Sequence, residues 1–282
     1  MRGEQGFPVR LRFTKLGKVR FVSHRDVARA LERAFRIEQL PLAFTLGFSP
    51  RPKVSFGLAL GVGHESLSEY LDVELVETID IETLPAALSA ALPEGIDITG
   101  ASLLASRAPA LQEAVTAVEF RLDFADLPAD ALSVAVDRAN ALDELPVSTT
   151  RKGEPVVEDL RPALSKITVL AQDDGVPSVS VDAATQPRGL RPADLLDALR
   201  GLAGAPGRHG GDRVLRTHQW IERDGARLEP LDADRACADQ PVHFDDKGTS
   251  NDRRHHTGGH GLRTDDSRAG AVADHSIGRR IA

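Results

Sequence analysis

Apolar and polar positions alternate from Val9 to Thr14, with Val9, Leu11 and Phe13 on one side and Arg10 and Arg12 on the other. That is the period of two expected of a half-buried strand whose arginines point outward. Lys15-Leu16-Gly17-Lys18 turns this strand toward a short apolar one, Val19 to Val22. Ser23-His24-Arg25-Asp26 then has the Ser-x-x-acid form of a helix start, with Ser23 as N-cap. Beyond it the period becomes helical. Val27, Leu31, Ala34 and Phe35 share one face, while Arg25, Arg29, Arg33 and Arg36 fall within an arc of about 80° on the opposite face. A strand at Leu42 to Thr45 follows, then the loop Gly47-Phe48-Ser49-Pro50-Arg51-Pro52-Lys53, stiffened by its prolines. An alternating strand from Leu67 to Val76, a helix from about Ile81 to Leu92 and a strand from Ile96 to Leu104 complete a β-α-β-β-α-β order.

The second half repeats this order with weaker signals. Val115 to Phe124 alternates as a strand, and Pro128 to Ala141 reads as a helix with proline in its first turn. Val147 to Thr150 and Val156 to Leu160 flank Lys152-Gly153 as short strands. Ile167 to Ala171 and Val179 to Val181 form a hairpin across Asp173-Asp174-Gly175. A helix from about Pro192 to Ala203 and a strand from Val214 to Ile221 close the set. The expectation is an α+β protein of two tandem ferredoxin-like units with antiparallel sheets, at 1–106 and 107–236. Residues 237–282 hold too few large apolar side chains to fold alone and are expected to be a disordered tail.

Composition bounds the class. With 282 residues, 41% of them hydrophobic, the chain can bury one large or two ordinary cores. The single cysteine, Cys237, excludes an internal disulfide framework and a Cys-rich zinc site. No long apolar run and no leader is present, so a cytoplasmic protein with no membrane partner is expected. Charge is unevenly placed: residues 1–56 carry twelve Lys and Arg against four acids, although the whole chain has a net charge of −7. A basic lobe on an acidic body points to a polyanion such as RNA, with an ordinary solvated surface as the plainer alternative.

Candidate chemistry is sparse. His24 and Asp26 are the best acid–base pair, although the helical wheel turns His24 toward the apolar side, where it would pack or cap. His64, Glu65 and Glu69 lack a third ligand that would make a metal site. Gly61-Val62-Gly63-His64-Glu65-Ser66 lacks the Lys-Ser/Thr of a phosphate loop and reads better as a turn between strands. Five of the nine histidines lie in the tail, at spacings that fit no ligand template. No cofactor or metal is called for.

Three runs carry a resemblance: Phe21 to Asp26 (FVSHRD), Leu40 to Phe56 (LPLAFTLGFSPRPKVSF) and Gly61 to Asp72 (GVGHESLSEYLD). Together they resemble the radical-SAM-linked family of unknown function, over roughly residues 8–235. The resemblance implies a setting rather than a reaction: a free-standing form without the radical SAM domain, since no CxxxCxxC motif is present. Partners it implies are a radical SAM protein or a ribonuclease of the E/G type.

The function expected from these features is an RNA-binding module that presents structured RNA, tRNA or rRNA, to a modifying or processing partner. Arg25, Arg29, Arg33 and Arg36 would neutralise phosphates, and Arg51 and Lys53 would extend the path. Phe48 would stack on a base, with core packing as the alternative. Two other readings stand beside it: an RNA-modifying or RNA-processing enzyme using His24 and Asp26, and a protein-interaction adaptor with a basic docking face.

Overall fold

In the computed structural model, which describes residues 6–105, 108–151, 153–171, 175–207 and 209–235, strand β1 (Phe7–Lys15) is the axis of the first half. It pairs antiparallel with β3 (Glu65–Leu75) on one side, Leu11 opposite Leu71, and with β4 (Ile98–Leu103) on the other. The short strand β2 (Val54–Phe56) adds antiparallel to β3. Spatially the order is β4-β1-β3-β2, every neighbour antiparallel. Helices α1 (His24–Ile37) and α2 (Leu84–Ala91) fill the connections. Their apolar faces close a core with Val9, Leu11, Phe13, Leu71, Val73 and Ile98, all nearly free of solvent.

The second half repeats that arrangement. Strand β5 (Ala117–Asp123) follows the single helical turn α3 (Leu111–Ala114) and leads to α4 (Ala129–Ala141). A hairpin, β6 (Pro146–Arg151) with β7 (Glu154–Asp159), forms its own two-stranded sheet. Then come β8 (Leu164–Val169), β9 (Ser178–Ala184), α5 (Pro192–Leu202) and β10 (Arg213–Arg223), in the spatial order β10-β5-β9-β8, again all antiparallel. Each half therefore places its fourth strand beside its first and its second at the far edge, with β6-β7 as an insertion in the second. A parallel pairing of β10 with β3, at Leu215 opposite Glu65, joins the halves into one large, mostly antiparallel sheet. After β10 the chain adds β11 (Ala226–Leu228) and the turn α6 (Pro230–Ala233). Among the described residues, no helix is long and apolar enough to cross a membrane.

Three expectations change. Val19 to Val22 is no strand: Gly17–Phe21 is a 3-10 turn. It has no ladder partner and is held by tertiary bonds, the Gly17 N–H reaching the Glu65 carboxylate at 2.6 Å. Leu42 to Thr45 is not the second strand; it makes only isolated bridges, Leu42 to Leu75 and Phe44 to Pro52, and the ladder position passes to Val54–Phe56. Arg10 does not point into solvent. It is wholly buried, giving two hydrogen bonds to Asp72 at 2.7 and 2.9 Å, one to Asp234 at 3.3 Å and one to the Pro230 carbonyl at 3.1 Å. Arg12 is half-buried on Glu229. The second face of β1 is thus covered by the segment after β10, which the alternation of β1 alone does not reveal. The tail, its histidines, Cys237, Lys152 and the Asp173-Asp174 turn lie outside the described residues.

Candidate nucleic-acid interface

Helix α1 begins as its first residues dictate. Ser23 is extended, its Oγ accepts from the Asp26 N–H at 3.3 Å, and it donates to Asp26 Oδ2 at 2.8 Å. The hydrogen bond from Ser23, and then the one from Arg29, hold the Asp26 carboxyl below the usual carboxylate range. Val27, Leu31, Ala34 and Phe35 are buried as the wheel requires. Each larger one contributes roughly 1.5–3 kcal/mol by leaving water, which fixes the rotation of the helix. With that rotation set, Arg25, Arg29, Arg33 and Arg36 all lie on solvent. Arg29 pairs with Asp26 at 2.8 Å; among the described residues Arg25, Arg33 and Arg36 form no ion pair. Arg36 also sits in the last turn, where a cation complements the helix dipole.

The chain leaves α1 into a hairpin-like excursion. Ala43 N–H bonds to the Glu74 carbonyl at 2.7 Å, Lys53 N–H to Ala43 at 2.8 Å and Thr45 N–H to Arg51 at 2.8 Å. Thr45 Oγ1 accepts from the Arg51 N–H at 3.0 Å, closing a loop whose tip contains Gly47 at φ +134. At that tip Leu46 and Phe48 are fully exposed, at 100% and 111% of their reference areas, so Phe48 is not a core residue. Arg51 is exposed without an ion pair among the described residues, whereas Lys53 pairs with Glu74 at 2.9 Å.

Not all of the N-terminal positive charge is available. Arg10 is buried, Lys15 is buried with its ammonium on the Arg20 carbonyl at 3.2 Å, and Arg12 and Arg20 face Glu229 and Glu65. Burial pushes the Lys15 ammonium below its usual range. Among the described residues of this region, the cations that remain solvated are the α1 stripe, Arg51, Lys53 and Lys18, and Lys18 was not among the expected site residues. Two further aromatic groups escaped the sequence reading, Phe21 and Phe44, because each sat in a segment read as a strand. Both are more than half exposed, and the Arg20 guanidinium lies 4.7 Å from the Phe21 ring centre.

His24 and Asp26 are not joined. The Asp26 carboxylate is taken by Ser23 and Arg29, and the His24 ring meets Phe56 edge-on, 4.9 Å between centres. Glu65 serves Arg20 and the Gly17 N–H, while Glu69 is buried against Arg216 at 2.8 Å. Among the described residues no cluster of three or more His, Cys, Asp or Glu is placed to hold a metal ion.

No curated protein matches the chain by sequence. Among solved structures it is similar to a chain of the archaeal box H/ACA sRNP Nop10-Cbf5 complex, at 11% identity and a TM-score of 0.38, covering 77% of this chain and 48% of that one. A chain of a Cbf5-Nop10-Gar1 complex gives 13% identity and a TM-score of 0.40, with 77% and 49% covered. A dye-decolorizing protein from V. cholerae gives 11% identity and a TM-score of 0.17, with 75% and 90% covered. This chain thus spans about half the length of the first two, and the reading of the site rests on its own residues. Over residues 9–192 it matches the model of a family described as "Uncharacterized protein conserved in bacteria (DUF2344)", and it belongs to that family.

Proposed function

We propose that the protein is an RNA-binding module whose contact surface is the solvent face of α1 with the loop that follows it. The observation that carries this reading is the stripe Arg25, Arg29, Arg33 and Arg36, held on solvent by a buried opposite face and largely unneutralised by the protein's own acids. From Arg25 to Arg36 the helix rises about 16 Å, so the guanidiniums form a row rather than a point, and a row of fixed cations suits a polyanion. Arg51 and Lys53, with the exposed ring of Phe48, would extend that contact onto the loop that follows the helix in the chain.

In this reading each half is a ferredoxin-like unit, 1–106 and 107–236, with strand order 4-1-3-2. The module presents structured RNA, tRNA or rRNA, to a modifying or processing partner in the cytoplasm. A radical SAM protein or a ribonuclease of the E/G type as that partner rests on the family resemblance alone.

The test is an Arg25→Glu, Arg29→Glu, Arg33→Glu, Arg36→Glu variant of the full chain, its folding checked by circular dichroism. It is expected to lose RNA binding at all but the lowest salt. RNA affinity equal to that of the unmodified protein would overturn the reading.

A further inference from the structure

We infer that the RNA bound by this surface carries unpaired nucleotides, and that a uniform duplex is not its substrate class. The inference rests on the RNA-binding reading above and adds a property that four arginines alone do not supply.

The observation is where the exposed aromatic rings stand. Phe21 lies two residues before the N-cap Ser23 and is 63% exposed. Phe44 (52%) and Phe48 (111%) lie in the loop that departs from the other end of α1. Along the chain, exposed rings therefore flank the guanidinium row on both sides. The backbone around Phe48 is fixed by the Thr45–Arg51 bonds and by Pro50 and Pro52, so the ring is held out on a stiff loop at little entropic cost to binding. A phenylalanine in that position contributes nothing to the core, and single exposed apolar residues are ordinary. Several rings beside unneutralised cations are not.

The chemistry selects the ligand. A duplex keeps its bases stacked inside: the A-form major groove is too deep and narrow for side chains, and the shallow minor groove shows base edges and 2′-hydroxyls but no base face on which a ring could stack. It would meet this surface through phosphates and 2′-hydroxyls and leave the rings without a stacking partner. Unpaired bases expose π faces that stack on aromatic side chains whatever their identity. A strand crossing α1 would place phosphates on the arginines and bases on the rings at either end. Arg20 covers one side of Phe21 at 4.7 Å, and a guanidinium stacked on a ring remains able to accept a base on that platform.

Three fluorescently labelled probes separate this from the parent reading: a blunt RNA duplex, a hairpin with an unpaired loop, and an unstructured single strand of equal phosphate number. Polarisation at fixed moderate salt is expected to show the hairpin and the single strand bound about tenfold or more tighter than the duplex. Phe48→Ala should weaken those two by about tenfold and leave the duplex unchanged, since one base stack is lost. Phe48→Trp, in the otherwise intact chain, should be quenched by the single strand and not by the duplex. Phe48 is fully exposed, so both variants should melt like the parent. Duplex bound as tightly as hairpin, or Phe48→Ala within twofold on every probe, overturns the inference while leaving the arginine reading intact. Failure of every probe, including at low salt, overturns both.

Discussion

The phenolic hydroxyl of Tyr70 donates to the carboxylate of Glu229 at 2.6 Å, joining the middle of β3 to the segment that follows β11. Glu229 also holds Arg12, and five residues further on Asp234 holds both Arg10 and Arg223. The second face of β1 and β3 is thereby closed by a short strap of chain whose acids meet the arginines that the strand alternation places there.

Tyr70 makes this closure measurable, because it is the chain's only tyrosine. Burial first, and then its bond to Glu229, push the phenol well above its ordinary value near 10. The folded protein therefore keeps a proton that the unfolded chain gives up around pH 10. Above that pH the native state binds the extra proton, so stability falls as pH rises, by about 1.4 kcal/mol per pH unit until the fold is lost. Absorbance at 295 nm is expected to show no phenolate in the native protein between pH 10 and 11, and a full signal in denaturant. A native titration near 10 would mean that the strap does not seal this face.

Removing one partner of the buried charge cluster should be costly. Arg10→Ala leaves Asp72 without its guanidinium and Asp234 with Arg223 alone, and breaking a buried pair of this kind typically costs about 3–5 kcal/mol. Arg10→Met, which fills the space but strands the Asp72 carboxylate, should be rescued in part by adding Asp72→Asn. Urea unfolding measures the free energies. Protease cleavage within residues 229–235 should accelerate in the single variants and return toward the parental rate in the double one.

The helix start allows a milder test. Ser23→Ala removes the side-chain acceptor for the Asp26 N–H and should cost about 1 kcal/mol, seen as faster amide exchange in the first turn of α1. Asp26 has its pKa depressed, so its contribution is present above the usual aspartate range and fades as the pH falls through the lowered value. The first-turn amides are therefore expected to lose protection in acid before the rest of the helix.

The parts of this architecture that could be read from sequence are those fixed by local periodicity. The α1 faces follow from i, i+4 spacing, and Val27, Leu31, Ala34 and Phe35 are buried as that spacing demands. Strand alternation correctly separates Val9, Leu11 and Phe13 from Arg10 and Arg12, but it cannot say what covers the second side. For Arg10 the answer lies more than two hundred residues away, at Pro230 and Asp234. The second strand of the first half was misplaced for a related reason. Leu42 to Thr45 has strong strand character, yet the ladder opposite Leu71 and Val73 is occupied by Val54 and Phe56. Pairing of this kind is settled by the partner strand. The exposed rings of Phe21 and Phe44 were hidden by the same assumption, since a residue assigned to a strand is expected to pack.

The arginine row itself makes a quantitative prediction about salt. An arginine without an internal partner that contacts a phosphate releases a counterion on binding, and its loss should lower the slope of log affinity against log salt by about one. Arg33 and Arg36 meet that condition, and Arg33→Ala or Arg36→Ala should each reduce the slope by about one ion with little change in sequence preference. Arg29 must first release Asp26, 2.8 Å away, so Arg29→Ala should change the slope by less. Lys53, 2.9 Å from Glu74, should behave like Arg29. Polarisation titrations at four salt concentrations decide the matter. If the paired and unpaired positions gave the same slope change, the internal ion pairs would not be limiting these cations. If none changed it, α1 would not lie on the path of the RNA backbone.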